Sequence, residues 1–340
     1  MGFFDSGKFE RPAADPPFDV MRTARVEFHV TDLAESKHFY ADLLGLVVTE
    51  ETADAVYLRS YEDRHHHCVA LVKAEQPKLG ALGFRVRSEE DLDRAHAWYC
   101  ERGCAVRWTE APDGSGARQL RLVDPLGFQV ELFHASAPAE LMQQRYHLHR
   151  GARPARIDHF NLMVPDVEAA LPYYFELGFR ISEYIAHDGP EDRILGAWTF
   201  RKPDVHDVSF TTSHGPRLHH VGFYVPDSTA ILQACDGLAA AGYSAEIERG
   251  PGRHGVSAAY FVYLRDPDGH RVELVTMDYY TGDPDLEPIR WSSSDPMRRT
   301  FWGHHVPDSW YTEGSPTLDL DGAPIPLVDP VRDERSVTTT

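Results

Sequence analysis

Two stretches of the chain share an alternation of apolar and polar residues that passes into an amphipathic pattern. They are ARVEFHVTDLAESKHFYADLLGL, from Ala24, and ARIDHFNLMVPDVEAALPYYFELGF, from Ala155. Alternation with a period of two predicts a strand, and apolar residues spaced three and four apart predict a helix. The pattern V-x-D-[LV] at 30–33 and 164–167 marks the turn between them. Each stretch is therefore predicted to form a strand, a turn and a helix.

A second pair of repeats is more similar still. DPLGFQVEL begins at Asp124 and DPDGHRVEL begins at Asp266, and each reads as a tight turn that leads into a strand. Further strand–helix units begin at Leu82 (LGFRVRSEEDLDRAHAWYCERG) and at His219 (HHVGFYVPDSTAILQACDGLAAAG). The chain thus repeats a βαβββ pattern four times, over 22–75, 80–135, 155–213 and 217–278. This organisation predicts an α+β fold in which two pairs of modules form two barrel-like domains with the helices outside.

Composition and charge exclude several classes of function. The 340 residues include 34 basic and 53 acidic side chains, a formal net charge of −19, which disfavours binding to nucleic acid. No apolar run approaches the roughly 20 residues that span a membrane, and the N-terminus does not resemble a secretory signal. The four cysteines lack a CxxC spacing and are interpreted as buried free thiols. A cytoplasmic protein that binds a small molecule is expected.

Residues suited to binding a metal occur at equivalent module positions in the second half only. These are His159, His220 and Glu273. Two imidazoles and one carboxylate from separate strands are the facial ligand set of non-haem Fe(II) and Mn(II) sites. The equivalent first-half positions hold Arg25, Ala81 and Glu131. Because both imidazoles are missing there, only the second half is predicted to hold a metal.

Alternation along the strands indicates which side chains share the interior with these ligands. His159 and Asn161 lie on one face, so Asp158 should point to the other. The pattern of the next strand puts His220 inward, but His219 is an alternative ligand on the sequence alone. We expect an N-terminal arm (1–21), a barrel without metal (22–140), a barrel with the metal site (150–285), a covering segment (286–328) and a disordered tail (329–340).

Four motifs in the second half resemble those of the extradiol ring-cleaving dioxygenases of the vicinal oxygen chelate superfamily. They are DHFN at 158–161, RLHHVGF at 217–223, ERGPGRHGVS at 248–257 and YLRDPDGHRVEL at 263–274. The resemblance extends from about residue 22 to SWYTEG at 309–314. It implies that His159, His220 and Glu273 bind the metal, and it favours His220 over His219.

The resemblance also implies roles for residues around the metal. His206 would be the acid–base histidine, His254 and Tyr263 would form hydrogen bonds next to the metal, and Asn161 and Trp198 would line the oxygen and substrate sides. A substrate carboxylate would meet basic side chains from Arg249, Arg298 and Arg299.

The activity implied is cleavage by O₂ of a catechol outside its diol, with Fe(II) or Mn(II) as cofactor. The expected substrate is 3,4-dihydroxyphenylacetate, which would open to 5-carboxymethyl-2-hydroxymuconate semialdehyde, and the expected assembly is a homotetramer. Three alternatives stay open: another substituted catechol as substrate, a metal-dependent lyase or isomerase of the same fold, and a protein that sequesters an aromatic drug.

Overall fold

The first sheet contains eight strands from the first half of the chain. The computed structural model describes residues 2–190 and 192–332, so most of the expected tail (333–340) lies outside the described residues. The strand order is β2-β3-β4-β1-β5-β8-β7-β6. The strands are β1 (Val20–Val30), β2 (Val47–Glu51), β3 (Ala55–Arg59), β4 (Val69–Lys73), β5 (Lys78–Val86), β6 (Val106–Glu110), β7 (Arg118–Val123) and β8 (Gln129–Phe133).

The second sheet repeats this order with strands from the second half. Its core runs β10-β11-β12-β9-β13-β16-β15-β14. The strands are β9 (Arg156–Val164), β10 (Arg180–Ala186), β11 (Ile194–Phe200), β12 (Val208–Thr212), β13 (Arg217–Tyr224), β14 (Ile247–Arg253), β15 (Tyr260–Arg265) and β16 (Arg271–Thr276). Both orders follow from two βαβββ modules whose first strands pair antiparallel at the centre. The predicted fold class and its fourfold repeat are confirmed.

Each module has one main helix, which begins at an aspartate or serine after the module's first strand. The helices are α1 (Leu33–Lys37, continued by a π-helical turn at His38–Leu43), α2 (Glu89–Glu101), α3 (Val167–Glu176) and α4 (Ser228–Ala240). Asp32 and Asp166 accept hydrogen bonds from the first free backbone N–H groups of α1 and α3. An N-cap of this kind satisfies donors that have no partner inside the helix. The repeated V-x-D-[LV] pattern is therefore a helix-start signal.

The two D-P-x-G turns are built in the same way. Asp124 Oδ1 accepts from the backbone N–H of Leu126 and of Phe128, and Asp266 Oδ1 accepts from the corresponding groups two and four residues on. The glycine of each turn has φ near 85°, a conformation that favours glycine. The turns differ at the other carboxylate oxygen. Asp266 Oδ2 accepts from Tyr40 Oη at 3.0 Å, whereas Asp124 Oδ2 has no partner among the described residues.

The segment after β16 is mostly irregular and packs over the second sheet. It adds β17 (Ile289–Ser292) beside β10, a short helix α5 (Ser309–Thr312), and β18 (Ser315–Pro316) beside β13. Trp310 of α5 is 3% exposed and packs edge-on against Tyr263. Part of this segment therefore packs on the second sheet. The exact domain boundaries stay a prediction.

Two expectations about solvent and membrane exposure can be compared with the structure. All four cysteines are free thiols, but only Cys68 is buried, and Cys100 is exposed, so the expectation that all are buried was wrong. Cys100 lies on α2. Among the described helices, none combines the length and the apolar character that crossing a membrane would require.

Candidate metal centre and substrate pocket

Three adjacent strands bring His159, His220 and Glu273 together. Gly222 of β13 pairs with His159 of β9 on one side and with Glu273 of β16 on the other. A Cβ at Gly222 would lie 2.3 Å from the His159 ring, so only glycine leaves room for this imidazole. His159 Nε2 lies 3.0 Å from His220 Nε2 and 2.9 Å from Glu273 Oε2, and His220 Nε2 lies 3.2 Å from that same oxygen.

These three distances fit a single ion. Three donors at right angles around a cation, with bonds of about 2.1 Å, lie roughly 3.0 Å apart. All three side chains are buried, between 1% and 3% exposed. A buried carboxylate and two imidazoles in this arrangement can occupy one face of an octahedron. The opposite face is left for other ligands.

Asp158 fixes the orientation of the first imidazole. Its Oδ2 lies 2.8 Å from His159 Nδ1, which therefore donates and directs Nε2 toward Glu273. Asp158 does not line the pocket, yet its carboxylate reaches the ring of the adjacent His159. The Asp158 side chain returns to its own neighbour because both residues are buried and a buried carboxylate needs a partner.

His219 fixes the orientation of the His220 imidazole through a contact with its Nδ1. His219 Nε2 lies 2.9 Å from the Trp310 carbonyl, so this nitrogen carries the proton and donates. Burial holds the pKa of His219 well below its ordinary value, so the ring is neutral and its Nδ1 is an acceptor. His220 Nδ1 lies 2.6 Å from that atom and must donate. His220 Nε2 is left with a lone pair directed at the cluster, which makes His220, and not His219, the candidate ligand.

The charge of Glu273 dominates the cluster when no cation is bound. Burial alone would raise the pKa of Glu273, but contacts with His159 and His220 hold it well below its usual range. Burial alone would also lower the pKa of His159, but Asp158 and Glu273 raise it to about 9. His159 thus carries the proton that balances Glu273. A bound cation would displace this proton, as expected for ligands that must deprotonate.

His206, from the loop between β11 and β12, lies against the cluster. Its ring centroid is 3.9 Å from that of His159, and its Nδ1 has no partner among the described residues. Burial, reinforced by His159, holds the pKa of His206 well below its ordinary value. The neutral ring that results can accept a proton.

His254 and Tyr263 form a hydrogen-bonded pair on the other side of Glu273. His254 Nδ1 lies 2.6 Å from the Arg299 carbonyl and must donate to it. Burial lowers the pKa of His254, so its Nε2 is an acceptor, and Tyr263 Oη donates to it at 2.9 Å. The phenol and the imidazole are thereby locked in one orientation beside the carboxylate.

The remaining predicted residues form the walls. Asn161 is held by β12, donating to Ser209 Oγ at 2.9 Å and accepting from Thr211 Oγ1. Trp198 of β11 forms part of the same lining. Arg249 is 1% exposed and donates to the Arg299 carbonyl and to Thr300, while its Nε and Nη1 have no partner in the described structure. Burial lowers its pKa to about 10, so it keeps its charge.

These residues surround a small cavity of about 30 Å³. Every predicted site residue lines it except Arg298, whose guanidinium donates to the Asp295 carbonyl instead. Sequence reasoning did not assign five further lining residues to the site, namely Ser209, Val256, Ser257, Val275 and Trp310. Trp310 stands in the motif SWYTEG, whose pattern does not indicate a place in the pocket.

Ion pairs stand at the equivalent place in the first sheet. Gly83 pairs with Arg25 and with Glu131 just as Gly222 pairs with its two partners, which confirms the alignment of the repeats. Arg25 Nη1 donates to Glu131 Oε1 at 3.0 Å, and Arg121 donates to the other oxygen at 2.9 Å. Two guanidinium groups therefore occupy the region that corresponds to the metal centre.

Comparison with known proteins places this arrangement in a family. Residues 22–132 and 156–274 match the Glyoxalase/Bleomycin resistance protein/Dioxygenase superfamily. The chain belongs to this superfamily. It is 30% identical to a metapyrocatechase of Geobacillus stearothermophilus, over 89% of this chain and 95% of the relative. It is 28% identical to a manganese-dependent 2,3-dihydroxybiphenyl 1,2-dioxygenase of Geobacillus genomosp. 3, over 84% and 94%.

Solved structures of homoprotocatechuate 2,3-dioxygenase from Brevibacterium fuscum are also similar. The anaerobic complex of that enzyme with 3,4-dihydroxyphenylacetate is 45% identical, has a TM-score of 0.88, and covers 93% of this chain and 99% of its own. A variant of the same enzyme superposes with a TM-score of 0.92 at 44% identity, over 96% and 91%. The resemblance to extradiol dioxygenases that the motifs indicated is confirmed.

Proposed function

We propose that this protein is an extradiol dioxygenase that cleaves a catechol with O₂ at a single Fe(II) or Mn(II) ion. The ion is held by His159, His220 and Glu273. The observation that carries the proposal is the convergence of three buried donor atoms at 2.9–3.2 Å, with both imidazoles oriented by Asp158 and His219. A lyase would fit the fold equally well. The neutral His206 and the Tyr263–His254 pair around the open face favour oxygen chemistry.

The bound ion supplies positive charge that favours the ionised catechol and brings the ring and O₂ together. The protein supplies the proton transfers. His206 borders the cluster and its Nδ1 has no partner among the described residues, so it is placed to take a proton from the substrate and return it later in the cycle. Tyr263 Oη has one proton, which it donates to His254 Nε2 in this structure. It stabilises the substrate oxygen by turning this proton from His254 to that oxygen, while His254 keeps the phenol next to Glu273.

The substrate proposed is 3,4-dihydroxyphenylacetate. Arg249 is buried and charged, and its Nε and Nη1 have no partner among the described residues, so a carboxylate on the substrate would complete its hydrogen bonding. Arg299 lines the same cavity and adds a second positive charge. Arg298 points elsewhere, so the carboxylate role is assigned to Arg249 and Arg299. The product is then 5-carboxymethyl-2-hydroxymuconate semialdehyde.

We also propose the domain bounds and the oligomeric state of the protein. The barrel-like domains span 22–140 and 150–285, the segment 286–328 covers the second, and the assembly is a homotetramer. Sedimentation equilibrium tests the last point, since a monomer or a dimer would contradict it. A cytoplasmic location stays a prediction.

The central experiment combines metal analysis with an oxygen-switch assay. Protein loaded anaerobically with Fe(II), and separately with Mn(II), is mixed with 3,4-dihydroxyphenylacetate and then exposed to air. A yellow ring-opened product that forms only after air is admitted supports the proposal. Metal-loaded protein that consumes no O₂ with any member of a catechol panel would exclude it.

The ligand assignment has its own control. His220→Ala should lose both the metal and the activity, whereas His214→Ala, which changes an exposed histidine of the preceding loop, should keep both. Stoichiometric metal in His220→Ala would contradict the assignment.

A further inference from the structure

The first barrel-like domain holds a cavity where the second holds its metal centre. Ala81 stands at the position equivalent to His220, and the methyl group leaves space that the imidazole fills in the other half. The cavity measures about 340 Å³, against about 30 Å³ for the pocket at the metal centre. A volume of this order is at the lower end of those that bind small organic ligands.

A network of four charged side chains forms one wall of this cavity. Arg121 donates to Glu27 at 2.5 Å and to Glu131 at 2.9 Å, and Arg25 donates to Glu131 at 3.0 Å. The two positive and two negative formal charges cancel. Each carboxylate already has an arginine partner, so the network does not need a metal ion to balance it.

Hydrogen-bond donors in this wall are left without acceptors. Arg25 is 3% exposed, and its Nε and Nη2 have no partner in the described part of the chain. Gln119 is 1% exposed, and its Nε2 also has none. Both residues line the cavity. Buried donors without acceptors are costly, so a ligand that brings acceptors into the adjoining space would be stabilised by them.

The free atoms of Arg25 define the chemistry of that ligand. Nε and Nη2 form one edge of the guanidinium, and this edge pairs with both oxygens of a carboxylate. The Arg25 guanidinium stacks 3.6 Å from the Phe133 ring centroid, which fixes its plane. Val26, Ala70 and Ala81 give the cavity an apolar part that an inorganic ion would leave unfilled.

We propose that the first domain binds a small organic carboxylate, with its charged group on Arg25 and Gln119 and its apolar part against Ala81. This site is separate from the metal centre and does not depend on the proposed dioxygenase activity. A single aromatic or short aliphatic acid fits the volume.

The test is a titration of 4-fluorobenzoate followed by ¹⁹F NMR. It is carried out in an Arg249→Gln background, so that the basic pocket of the other domain does not bind the probe. Arg25→Gln should weaken binding about tenfold or more, the loss expected for a charge-assisted hydrogen-bond pair. Ala81→Leu, which fills the cavity and keeps every charge, should abolish binding. Arg118→Gln, an exposed change on β7, should leave binding unaltered.

The possible outcomes separate the explanations. Equal affinity of the parent, Arg25→Gln and Ala81→Leu proteins for 4-fluorobenzoate would overturn the proposal. So would the absence of binding when 4-fluorobenzoate is in 10-fold excess over about 1 mM protein. Displacement of the probe by inorganic phosphate with equal or higher affinity would identify an anion site and overturn the assignment to an organic acid. If Arg25→Gln does not fold, Ala81→Leu decides alone. In protein that keeps Arg249, Ala81→Leu should leave the rate of ring cleavage unchanged. This result would show that the second domain is intact.

Discussion

His219 and His220 are neighbours on β13, and their Nδ1 atoms lie 2.6 Å apart. His219 Nδ1 accepts a hydrogen bond from His220 Nδ1, and His219 Nε2 donates a hydrogen bond to the Trp310 carbonyl. The residue that competes with His220 for the ligand role on sequence grounds is thus the residue that prepares His220 for it. The covering segment takes part in this chain of hydrogen bonds through the Trp310 backbone.

Replacing His219 should weaken metal binding without removing a ligand. His219→Phe keeps a ring of similar shape but leaves His220 Nδ1–H without an acceptor. Loss of an outer partner of this kind costs about 10- to 100-fold in metal affinity. Competition titration against a chromophoric chelator measures the change, with His214→Phe as the exposed control. Unchanged affinity would show that the 2.6 Å contact does not orient His220.

Replacing His206 should separate metal binding from catalysis. His206→Asn removes the proton acceptor next to His159 but none of the three donor atoms. We expect full metal content and a loss of turnover of about 10²- to 10⁴-fold, as for a general acid–base residue. Steady-state oxygen uptake and metal analysis on the same sample provide the measurement. His304→Asn, on the exposed part of the covering segment, serves as control, and normal turnover in His206→Asn would refute the role.

Replacing Arg249 should change substrate preference more than reactivity. Arg249→Gln removes the charge proposed to meet the substrate carboxylate. The KM for 3,4-dihydroxyphenylacetate should rise roughly 10- to 100-fold, because a charge-assisted hydrogen bond contributes about 1.5–3 kcal/mol. The KM for unsubstituted catechol should change little. An equal effect on both substrates would mean that Arg249 acts on the shape of the pocket and does not bind a carboxylate.

Asp124 should make the stability of the protein depend on pH. Burial raises its pKa to about 7, and its Oδ2 has no partner among the described residues. In the unfolded chain the pKa is about 3.9. Between about pH 4 and pH 7 the folded protein therefore keeps a proton on Asp124 that the unfolded chain has lost. The stability that this proton contributes is lost as the pH rises from about 4 to about 7.

Asp124→Asn should remove this pH dependence, because an amide keeps the Oδ1 acceptor of the turn without the charge. At pH 8 the variant should be more stable than the parent by an amount on the order of 2–4 kcal/mol, and at pH 4 the difference should be small. Urea unfolding at the two pH values measures it, and Asp236→Asn on the exposed side of α4 is the control. A variant that is less stable at pH 8 would contradict the expectation.

The repeats and the ligand positions could be predicted because both depend on local patterns. Strand alternation and the D-P-x-G turns determined the register well enough to align His159 with Arg25 and His220 with Ala81. The βαβββ modules follow from the same periodicities and from the N-cap aspartates. These features depend on residues that are near each other in the chain.

The features that sequence reasoning missed depend on contacts between distant segments or on burial. Trp310 reaches the pocket from a segment with little regular structure, so no periodicity indicates its position. Asp158 contacts His159 because a buried carboxylate needs a partner, and alternation along β9 does not reveal this contact. The lowered pKa of His206 likewise results from its burial, which its neighbours in the chain do not reveal.

The ion pairs of Arg25 and Arg121 with Glu131 have a consequence for how the chain matures. They join β1, β7 and β8 through side chains that are present as soon as these strands have been synthesised. In the second domain, the corresponding strands meet at a cluster that, under the proposed ligation, acquires its central charge from solution. The first half therefore balances its buried charges with its own side chains alone. In the second half, the partner of the Glu273 charge changes from the His159 proton to the cation when the metal binds.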